Sequence, residues 1–449
     1  MKLSTSKSEL QTALQKLSKA TPSRATLPIL NSVLFSVSET ETTIKSTDLE
    51  ITVVVHLSAS IESMGSVSIP LQMLLNITNE LHDETRITIS ADEENKINIS
   101  TDHGNYNIVG KPADEFPNTP EVETKKQIDL ESGVLKQIIN NTAFAVSRDD
   151  LKPALTGVLF KFDQKNITAV ATDGHRLVKY ETTNGGDSAG FDDVIVPKKF
   201  LNLLSGGLEE EKINLSVGEN HLTTTVGTDQ YFTRIIDEKF PDFDGVIPKD
   251  NDKNFTVNKN SLLSAVKRVS IFSNKTTHQI ALKLNNEEAV VSTEDAEQST
   301  KASEKIKGDY KGEDITVGYN AGYLKDILSH IPTDEITIKL KTSISAALFF
   351  PNKEIFSKTY DFITCTETAE HFFNPKKEFN LMNTMLKKDG WLGVMTCFLT
   401  SHDAFDSWHY RRDPTHVVFY AEKTFEIIAK QRDWNCEIIA KDVVLFNKN

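Results

Sequence analysis

The sequence predicts an α+β protein of three repeated domains followed by a separate C-terminal segment. A short polar turn recurs at a spacing of about 120 residues, which is the size of a domain rather than of a solenoid unit. Six segments share one order, a helix and then strands. All three cysteines and all three tryptophans lie after Tyr360, which marks a break in composition.

The recurring turn is clearest between Ala169 and Tyr180, which read AVATDGHRLVKY. Asp-Gly between apolar runs favours a turn, because glycine tolerates positive φ and aspartate can bond its own backbone. Weaker copies begin at Thr47 and Thr293. Taken alone, the residues favour a plain hairpin turn with its His and Arg in solvent. A catalytic base here is disfavoured, since no Ser, Cys or second His lies at a suggestive position.

Each copy opens with an amphipathic helix, because apolar residues recur three or four apart. The expected N-caps are Ser6 or Ser8 in the first copy and Asn260 or Ser261 in the third. The apolar stripes are Leu10, Leu14 and Leu17; Leu135, Ile138, Ile139 and Phe144; and Leu262, Leu263, Val266, Val269 and Phe272.

The second half of each copy has the same plan, and a helix is predicted to start near Pro70, Pro197 or Asn320. Proline suits the N1 position, where its missing N–H is not needed. One such unit cannot bury both its helix and its sheet, so we expect two units per domain, with helices on one side and sheets on the other.

The turn and linker signals set the expected domain boundaries. Pro112–Pro120 (PADEFPNTP) and Phe240–Pro248 (FPDFDGVIP) are the expected linkers. The predicted domains are residues 1–120, 128–246 and 247–359, and the C-terminal segment is residues 360–449.

The composition, with 38% hydrophobic and 25% charged residues, is typical of a globular protein. No apolar run approaches the roughly 20 residues of a membrane span, and the N-terminus lacks the apolar core of a signal peptide. Three cysteines without paired spacing favour a reducing compartment, so we expect a cytoplasmic protein without a membrane partner.

The formal net charge of −14 disfavours a nucleic-acid partner unless the basic residues are segregated on one surface. The predicted helices and the loops beside them are rich in Lys and Arg, whereas the strand loops are rich in Asp and Glu. Two interpretations stay open. The charges are either ordinary solvated faces, or a basic helical surface that holds a polyanion beneath an acidic exterior.

Several motifs closely resemble those of the bacterial β sliding clamp family, over residues 1 to about 359. They are RATLPIL (Arg24–Leu30), STDLE (Ser46–Glu50), EFPN (Glu115–Asn118), ATDGHRL (Ala171–Leu177), VPKK (Val196–Lys199) and FPDF (Phe240–Phe243). The resemblance implies a head-to-tail homodimer closed into a ring around duplex DNA. Helices line the hole and present cations to phosphates without reading sequence, and continuous sheets form the rim.

The resemblance also implies particular site residues, and no catalytic residue, metal or cofactor. The partners would be double-stranded DNA, together with polymerase, loader and repair proteins that carry a short peptide with a Gln and a hydrophobic end. DNA contacts fall on Arg24, Arg148, Lys152, Lys198 and Lys199. The peptide pocket falls on Leu155, Thr172, Gly174, His175, Arg176, Leu177, Pro241 and Val246. The dimer interface places Tyr106 and Ile108 of one chain against Ile271 and Phe272 of the other.

The chain departs from the family pattern after Tyr360. A clamp's last strand completes the peptide pocket near the C-terminus, and in that register Asp361, Ile363 and Cys365 would take the pocket-forming positions. A charge there is costly in an apolar cleft. Either the strand pairs as usual beside a weakened pocket, or the third domain is incomplete.

The C-terminal segment resembles the second half of a class I S-adenosylmethionine-dependent methyltransferase. The similar pieces are Tyr360–Phe372, Met385–Phe398, His409–Tyr420 and Val443–Phe446. That family binds its cofactor mainly through a Gly-rich turn and an acidic residue in the first half, which have no counterpart here. We therefore expect no methylation by this segment alone.

Glu367, Glu370 and His371 form a candidate metal cluster. Two carboxylates and a histidine at helical spacing are more typical of a solvated helix face, which is the interpretation we favour. Cys365 and Cys397 are more typical of strand cores than of a metal site.

Three functions are compatible with these patterns. The first is a DNA-encircling processivity clamp, without an active site of its own, that carries a truncated methyltransferase fragment. The second is a working methyltransferase delivered to DNA by a clamp, which needs the missing cofactor-binding half from elsewhere. The third is an artefactual joining of two genes at the composition break.

Overall fold

The computed structural model describes residues 1–22, 27–120, 122, 126–163, 166–183, 191–206, 212–286, 288–352, 359–400, 405, 408–413 and 415–449. The chain divides into two compact units, residues 1–249 with 320–331 and residues 250–319 with 332–449. In the ranges described, no helix combines the length and the apolar character that a membrane crossing requires.

The first domain packs two helices against two antiparallel sheets. The helices are α1 (Lys7–Ser18) and α2 (Leu71–Glu80), and the strands are β1 (Lys2–Ser6), β2 (Ser32–Val37), β3 (Thr42–Thr47), β4 (Ile51–His56), β5 (Ser60–Ser63), β6 (Gly65–Pro70), β7 (Arg86–Ala91), β8 (Lys96–Thr101) and β9 (Gly104–Val109). One sheet has the order β5-β1-β7-β8-β9, and the other contains β4-β3-β2-β6. The Ser6 hydroxyl accepts from the Glu9 backbone N–H at 3.2 Å, which confirms Ser6 as the cap of α1.

The second domain repeats this plan. Its helices are α3 (Ser132–Thr142) and α4 (Lys198–Ser205), and its strands are β10 (Lys126–Glu131), β11 (Gly157–Asp163), β12 (Asn166–Thr172), β13 (Leu177–Thr182), β14 (Val194–Pro197), β15 (Lys212–Val217), β16 (His221–Val226) and β17 (Asp229–Arg234). The predicted helix starts near Pro70 and Pro197 are confirmed. Both prolines occupy the N-cap, however, one residue before the expected N1 position.

One sheet runs continuously through the first two domains, in the order β10-β15-β16-β17-β4-β3-β2-β6. Strands β17 and β4 join the two halves, with Tyr231 opposite Val53 and Thr233 opposite Ile51. The Asp229 carboxylate, at the start of β17, is 5% exposed and ties the halves together. It accepts from Lys16 Nζ at 2.6 Å and from the His56 backbone N–H at 3.2 Å.

The third repeat contains two further antiparallel sheets. Its helices are α5 (Lys259–Val269) and α6 (Ala321–His330), and its strands are β18 (Lys253–Asn258), β19 (Gln279–Leu284), β20 (Ala289–Asp295), β21 (Thr300–Ile306), β22 (Gly308–Lys311), β23 (Ile315–Asn320), β24 (Glu335–Leu340) and β25 (Leu348–Pro351). The sheet orders are β22-β18-β24-β25 and β21-β20-β19-β23. Helix α6 belongs to the first compact unit.

The predicted cap of α5, Asn260 or Ser261, is wrong. Asn258 caps this helix, because it ends β18 in an extended conformation (φ −66°, ψ 120°) and so directs its side chain at the first turn. Its Oδ1 accepts from the Ser261 backbone N–H at 2.9 Å and from the Ser261 hydroxyl at 3.0 Å. The predicted start near Asn320 is confirmed, since the Asn320 side chain accepts from two backbone amides at the start of α6.

The stretch Pro112–Pro120 is packed rather than free. Phe116 is 4% exposed and lies in a cluster with Ile29 and Leu30. Lys45 donates to the Pro117 carbonyl at 2.8 Å and lies over the Phe116 ring. Burial lowers the pKa of Lys45.

The C-terminal segment has its own sheet and hydrophobic core. Its elements are β26 (Tyr360–Thr366), α7 (Pro375–Met385), β27 (Leu386–Met395), α8 (Glu422–Lys430), β28 (Trp434–Ala440) and β29 (Val443–Lys448). The sheet order is β26-β27-β29-β28, in which β26 and β27 are parallel and the other pairs antiparallel. The fully buried Phe379, Phe425 and Phe446 lie in its core.

Of the two alternatives for the last clamp strand, the structure contradicts the one in which Asp361, Ile363 and Cys365 take the pocket-forming positions in the usual register. All three lie in β26, where Ile363 pairs with Leu392 and Cys365 with Val394 of β27. This parallel pairing buries Cys365 in the segment's core. Asp361 stays exposed and forms an ion pair with Lys387 at 2.9 Å, which lowers the pKa of Asp361. The strand therefore gains apolar neighbours without burying a charge.

The solvated helix face expected at Glu367–His371 is also wrong. Ala369–His371 is a single 3-10 turn, and Glu370 within it is fully buried. The residues around His416 cover this turn, because the backbone N–H groups of Val417 and Val418 donate to the Glu370 carbonyl at 2.9 and 3.1 Å.

Candidate functional site

The turn between β12 and β13 is built by hydrogen bonds from Thr172 and Asp173. The Thr172 hydroxyl donates to the Arg176 carbonyl at 2.7 Å and accepts from the Gly174 N–H at 3.0 Å. One Asp173 oxygen accepts from the backbone N–H groups of His175 and Arg176 at 2.9 and 3.0 Å. Gly174 has φ +88°, which explains why glycine follows the aspartate.

Arg176 is held in place rather than solvated, which overturns the plain-turn interpretation for this residue. Its side chain is 11% exposed and forms ion pairs with Asp173 at 3.1 Å and Asp326 of α6 at 2.8 Å. It also donates to the Phe144 carbonyl at 3.0 Å. Its guanidinium lies over the rings of Phe144 and Tyr323, at 5.3 and 4.8 Å from their centroids.

The other predicted pocket residues differ in exposure. His175 is exposed and stacks near Tyr323, with ring centroids 5.8 Å apart. Leu155 and Thr172 are buried, Leu177 is half-buried, and Pro241 and Val246 are exposed. Beside them lies a small apolar cluster, composed of Leu159, Val170, Ile195 and Phe243 with Ala154, Leu177, Ile236, Phe240 and Ile247 at its margin. The turn therefore lies beside a small buried apolar cluster whose margin, which includes Leu177, is partly exposed.

The first domain contains the same turn. The Thr47 hydroxyl donates to the Ile51 carbonyl at 2.9 Å and accepts from the Leu49 N–H at 3.1 Å. Asp48 accepts from the backbone N–H groups of Glu50 and Ile51. Leu49, with φ +78°, stands where the second domain has glycine.

The equivalent position in the third repeat is Asp295, so the predicted anchor at Thr293 is two residues too early. Asp295 ends β20 and pairs with Thr300, as Thr172 ends β12 and pairs with Leu177. Its carboxylate accepts from the Glu297 N–H at 3.0 Å, which is the bond that a threonine hydroxyl accepts in the other two domains. The sequence pattern missed this, because a different residue type performs the same function.

The predicted DNA-contacting residues have different environments. Arg148 and Lys152 are exposed, whereas Arg24 lies outside the described residues. Lys199 on α4 forms an ion pair with Asp48 of the first domain's turn. Burial lowers the pKa of Lys198 and the positive charges of Arg148 and Arg176 lower it further, whereas the Asp326 carboxylate acts in the opposite direction.

Lys198 lines a pocket of about 270 Å³, together with Asn140, Phe144, Asn202 and His330. Phe144 and His330 stack with their ring centroids 4.0 Å apart. Two cations on other helices form ion pairs. Lys7 is buried against Asp83 at 2.6 Å, and Arg268 forms an ion pair with Glu304.

Comparison with known proteins identifies the family. The N-terminal, central and C-terminal domains of the DNA polymerase III beta subunit match residues 1–120, 129–242 and 244–360. A beta sliding clamp of Pseudomonas putida is 30% identical over 339 residues, which cover 75% of this chain and 92% of that protein. The chain belongs to the DNA polymerase III beta subunit family.

Solved sliding clamps have the same fold. The clamp of Pseudomonas aeruginosa, solved bound to griselimycin, is 28% identical with a TM-score of 0.74, over 78% of this chain and 95% of that one. The clamp of Bacillus subtilis is 25% identical with a TM-score of 0.75, over 78% and 95%. We refer to residues 1–360 as the clamp region and to residues 361–449 as the tail.

Sequence reasoning located the turn in the clamp region but missed the groups that hold Arg176. Phe144, Tyr323 and Asp326 are distant in sequence and belong to other elements. Of these three residues, the sequence pattern singled out only Phe144, as part of an apolar stripe. That pattern indicated a core residue and not a contact with Arg176.

Replacing Gly174 with Ala should destabilise the second domain by about 1 kcal/mol, because a Cβ is unfavourable at positive φ. No atom lies within 4 Å of the added carbon, so the effect isolates backbone strain. The matched control is Gly133→Ala in α3, which also has no atom within 4 Å and should stabilise by about 0.4–1 kcal/mol.

Calorimetry suits this comparison, because all three tryptophans lie in the tail and fluorescence would not report on the second domain. A Gly174→Ala protein as stable as the Gly133→Ala protein would contradict a positive φ at this turn.

Proposed function

We propose that the clamp region acts as a DNA sliding clamp, a ring-shaped processivity factor that holds the replicative DNA polymerase on duplex DNA. The observation that carries this proposal is the succession of three DNA polymerase III beta subunit domains over residues 1–360. A ring acts by topological linkage and neither makes nor breaks a bond, so the clamp region needs no active site. Its place of action would be the cytoplasm.

Ring closure is supported by the internal repeat. Strand β17 is the third strand of the meander β15-β16-β17, and β4 is the third strand of β2-β3-β4. These two strands pair with each other. Among the described sheets, the third strands β9, β13 and β21 each lie at an edge, and a sheet edge with unpaired N–H and C=O groups readily takes another strand. We propose that β9 of one chain pairs with β21 of a second copy, twice per ring.

The side chains near these two edges suit such an interface. Ile271 and Phe272, which follow α5, are 76% and 43% exposed. Val109 at the end of β9 is 71% exposed, and Tyr106 and Ile108 are half-buried against the core of the first domain. Burying these apolar groups stabilises a dimer, since transfer from water contributes about 25 cal/mol per Å².

The proposed DNA contacts are Arg148, Lys152, Lys198 and Lys199, together with Arg24 outside the described ranges. Lysine and arginine side chains hold phosphates without reading bases, which a ring that slides requires. The lowered pKa of Lys198 indicates that its charge is partly buried and crowded by like charges, and a phosphate would relieve that repulsion.

The proposed peptide pocket lies on the second domain, at the Thr172–Leu177 turn and the apolar residues Leu155, Pro241 and Val246. An apolar cleft with backbone groups fixed beside it can hold a short linear peptide in one direction. We expect its ligands to carry a Gln and a hydrophobic end. The Gly174→Ala variant should bind such a peptide more weakly than the Gly133→Ala control.

We propose further that the tail corresponds to the second half of a class I methyltransferase fold. The support is a parallel strand pair, β26 and β27, followed by an antiparallel hairpin whose last strand lies next to β27. The described tail has a sheet of four strands and lacks the Gly-rich turn after a first strand that binds the cofactor. We therefore expect no methylation by the tail alone.

Charges at the proposed interface should abolish the ring. The double variant Ile271→Asp and Phe272→Asp should sediment as a monomer, because two carboxylates would be buried without partners. It should also leave nicked circular DNA after loading, whereas the parent chain stays until the circle is linearised. Ile344, which is 95% exposed and lies outside the interface, supplies the control Ile344→Asp. A double variant that remains dimeric would exclude this interface.

The salt dependence of DNA binding should decrease when proposed phosphate-binding lysines are replaced. Lys198→Gln should lower the slope of log K against log[salt] by about 0.9 for each phosphate that the variant no longer neutralises. Fluorescence anisotropy of labelled duplex DNA over a salt series measures it. Lys96→Gln on β8, whose lysine forms an ion pair with Glu94 and is 66% exposed, is the control. Equal slopes for the two variants would show that Lys198 does not contact a DNA phosphate.

Titration with S-adenosylmethionine distinguishes a fragment from a working methyltransferase. Calorimetry on the full chain should show no saturable binding, because the cofactor-binding half of that fold has no counterpart before Tyr360 in the sequence. The same titration with a complete methyltransferase is the positive control. Tight, saturable binding to this chain would favour the clamp-delivered enzyme.

A further inference from the structure

We propose that Glu370, His371 and His416 form a binding site in the tail for a first-row divalent transition metal ion such as Zn²⁺. One ligand atom from each residue lies within 4.8 Å of the others. Three protein ligands leave at least one coordination position for a water or a ligand oxygen.

The Glu370 carboxylate gives the strongest indication. It is fully buried, and neither of its oxygens has a hydrogen-bond partner among the described residues. The hydroxyls of Tyr410 and Thr396 lie near this carboxylate, but neither of its oxygens is hydrogen-bonded to them. A buried anion without partners is costly, and a bound cation removes that cost.

Both histidines are oriented as metal ligands. His371 Nδ1 lies 2.9 Å from the Thr415 carbonyl, and His416 Nδ1 lies 2.7 Å from the Tyr410 carbonyl. A carbonyl only accepts, so each Nδ1 carries the proton and each Nε2 keeps a free lone pair. A backbone carbonyl bonded to the other ring nitrogen is the usual outer-shell support of a metal-binding histidine.

The distances fit a site that closes slightly when an ion binds. His371 Nε2 lies 3.8 Å from Glu370 Oε1. Ligands at about 2.0–2.2 Å from a tetrahedral ion lie roughly 3.3 Å apart, so a shift of less than about 1 Å brings these two atoms into range. Two imidazoles with one carboxylate favour Zn²⁺ or its first-row neighbours over Mg²⁺ and Ca²⁺, which prefer oxygen.

The location suits a ligand site. Glu370 and His371 follow the carboxyl end of β26, next to the carboxyl end of its parallel neighbour β27. The Glu367 N–H donates to the Met395 carbonyl at 2.9 Å across these two ends. Ligands of α/β sheets bind at this edge. Asp413 adds a second carboxylate at the margin, since its Oδ2 lies 3.8 Å from His416 Nε2.

Metal counting on the full chain tests the site. The protein is stripped with a chelator and dialysed against Zn²⁺, and bound metal is measured by mass spectrometry. The parent chain should hold one ion more than His416→Ala or Glu370→Gln. His409→Ala is the matched control, because His409 is exposed on the neighbouring 3-10 turn and is no part of the cluster. Equal zinc content in the parent and His416→Ala chains would overturn the proposal.

Tryptophan fluorescence gives a second measurement that does not depend on whether a variant folds. All three tryptophans lie in the tail, so they report its unfolding selectively. Zn²⁺ should raise the unfolding temperature of the parent chain and of His409→Ala, whereas Mg²⁺ at the same concentration should not. An unchanged unfolding temperature with Zn²⁺ in the parent chain would overturn the site whatever the variants do.

Discussion

The unpaired edge of a β-sheet is the constraint on which the clamp region depends. An edge strand exposes N–H and C=O groups that favour another strand. Strands β17 and β4 form hydrogen bonds with each other and so join two domains into one sheet. The buried carboxylate of Asp229 reinforces that join, because it accepts from a lysine on α1 and an amide at the end of β4. The equivalent strands β9, β13 and β21 lie at the edges of their sheets among the described residues.

The same hydrogen-bonded turn occurs in all three repeats, but its surroundings differ. In all three repeats, a buried side-chain oxygen at the strand end accepts a hydrogen bond from the backbone N–H two residues later. This oxygen belongs to Thr47, Thr172 or Asp295. Only the second repeat adds Arg176, held between two rings and two carboxylates. The turn itself is therefore a structural element, and its neighbours make one copy a candidate binding surface.

The tail is a different kind of structure. It contains a parallel strand pair, β26 and β27, and it has a core of its own. Its fully buried carboxylate, Glu370, faces two histidines with free ring nitrogens. A buried carboxylate of this kind destabilises a fold unless a cation or a hydrogen-bond donor compensates its charge.

The sequence by itself determined the repeats, the amphipathic helices and the composition break, because apolar spacing and turn residues act locally. It also indicated Ser6 and the helix starts at Pro70, Pro197 and Asn320. Only the tertiary structure decided that β26 pairs with the tail, that Asn258 caps α5, and that Asp295 is the third anchor. Likewise, only the tertiary structure places the buried Glu370 beside His416, because residues far apart in the chain meet there and no local pattern encodes the contact.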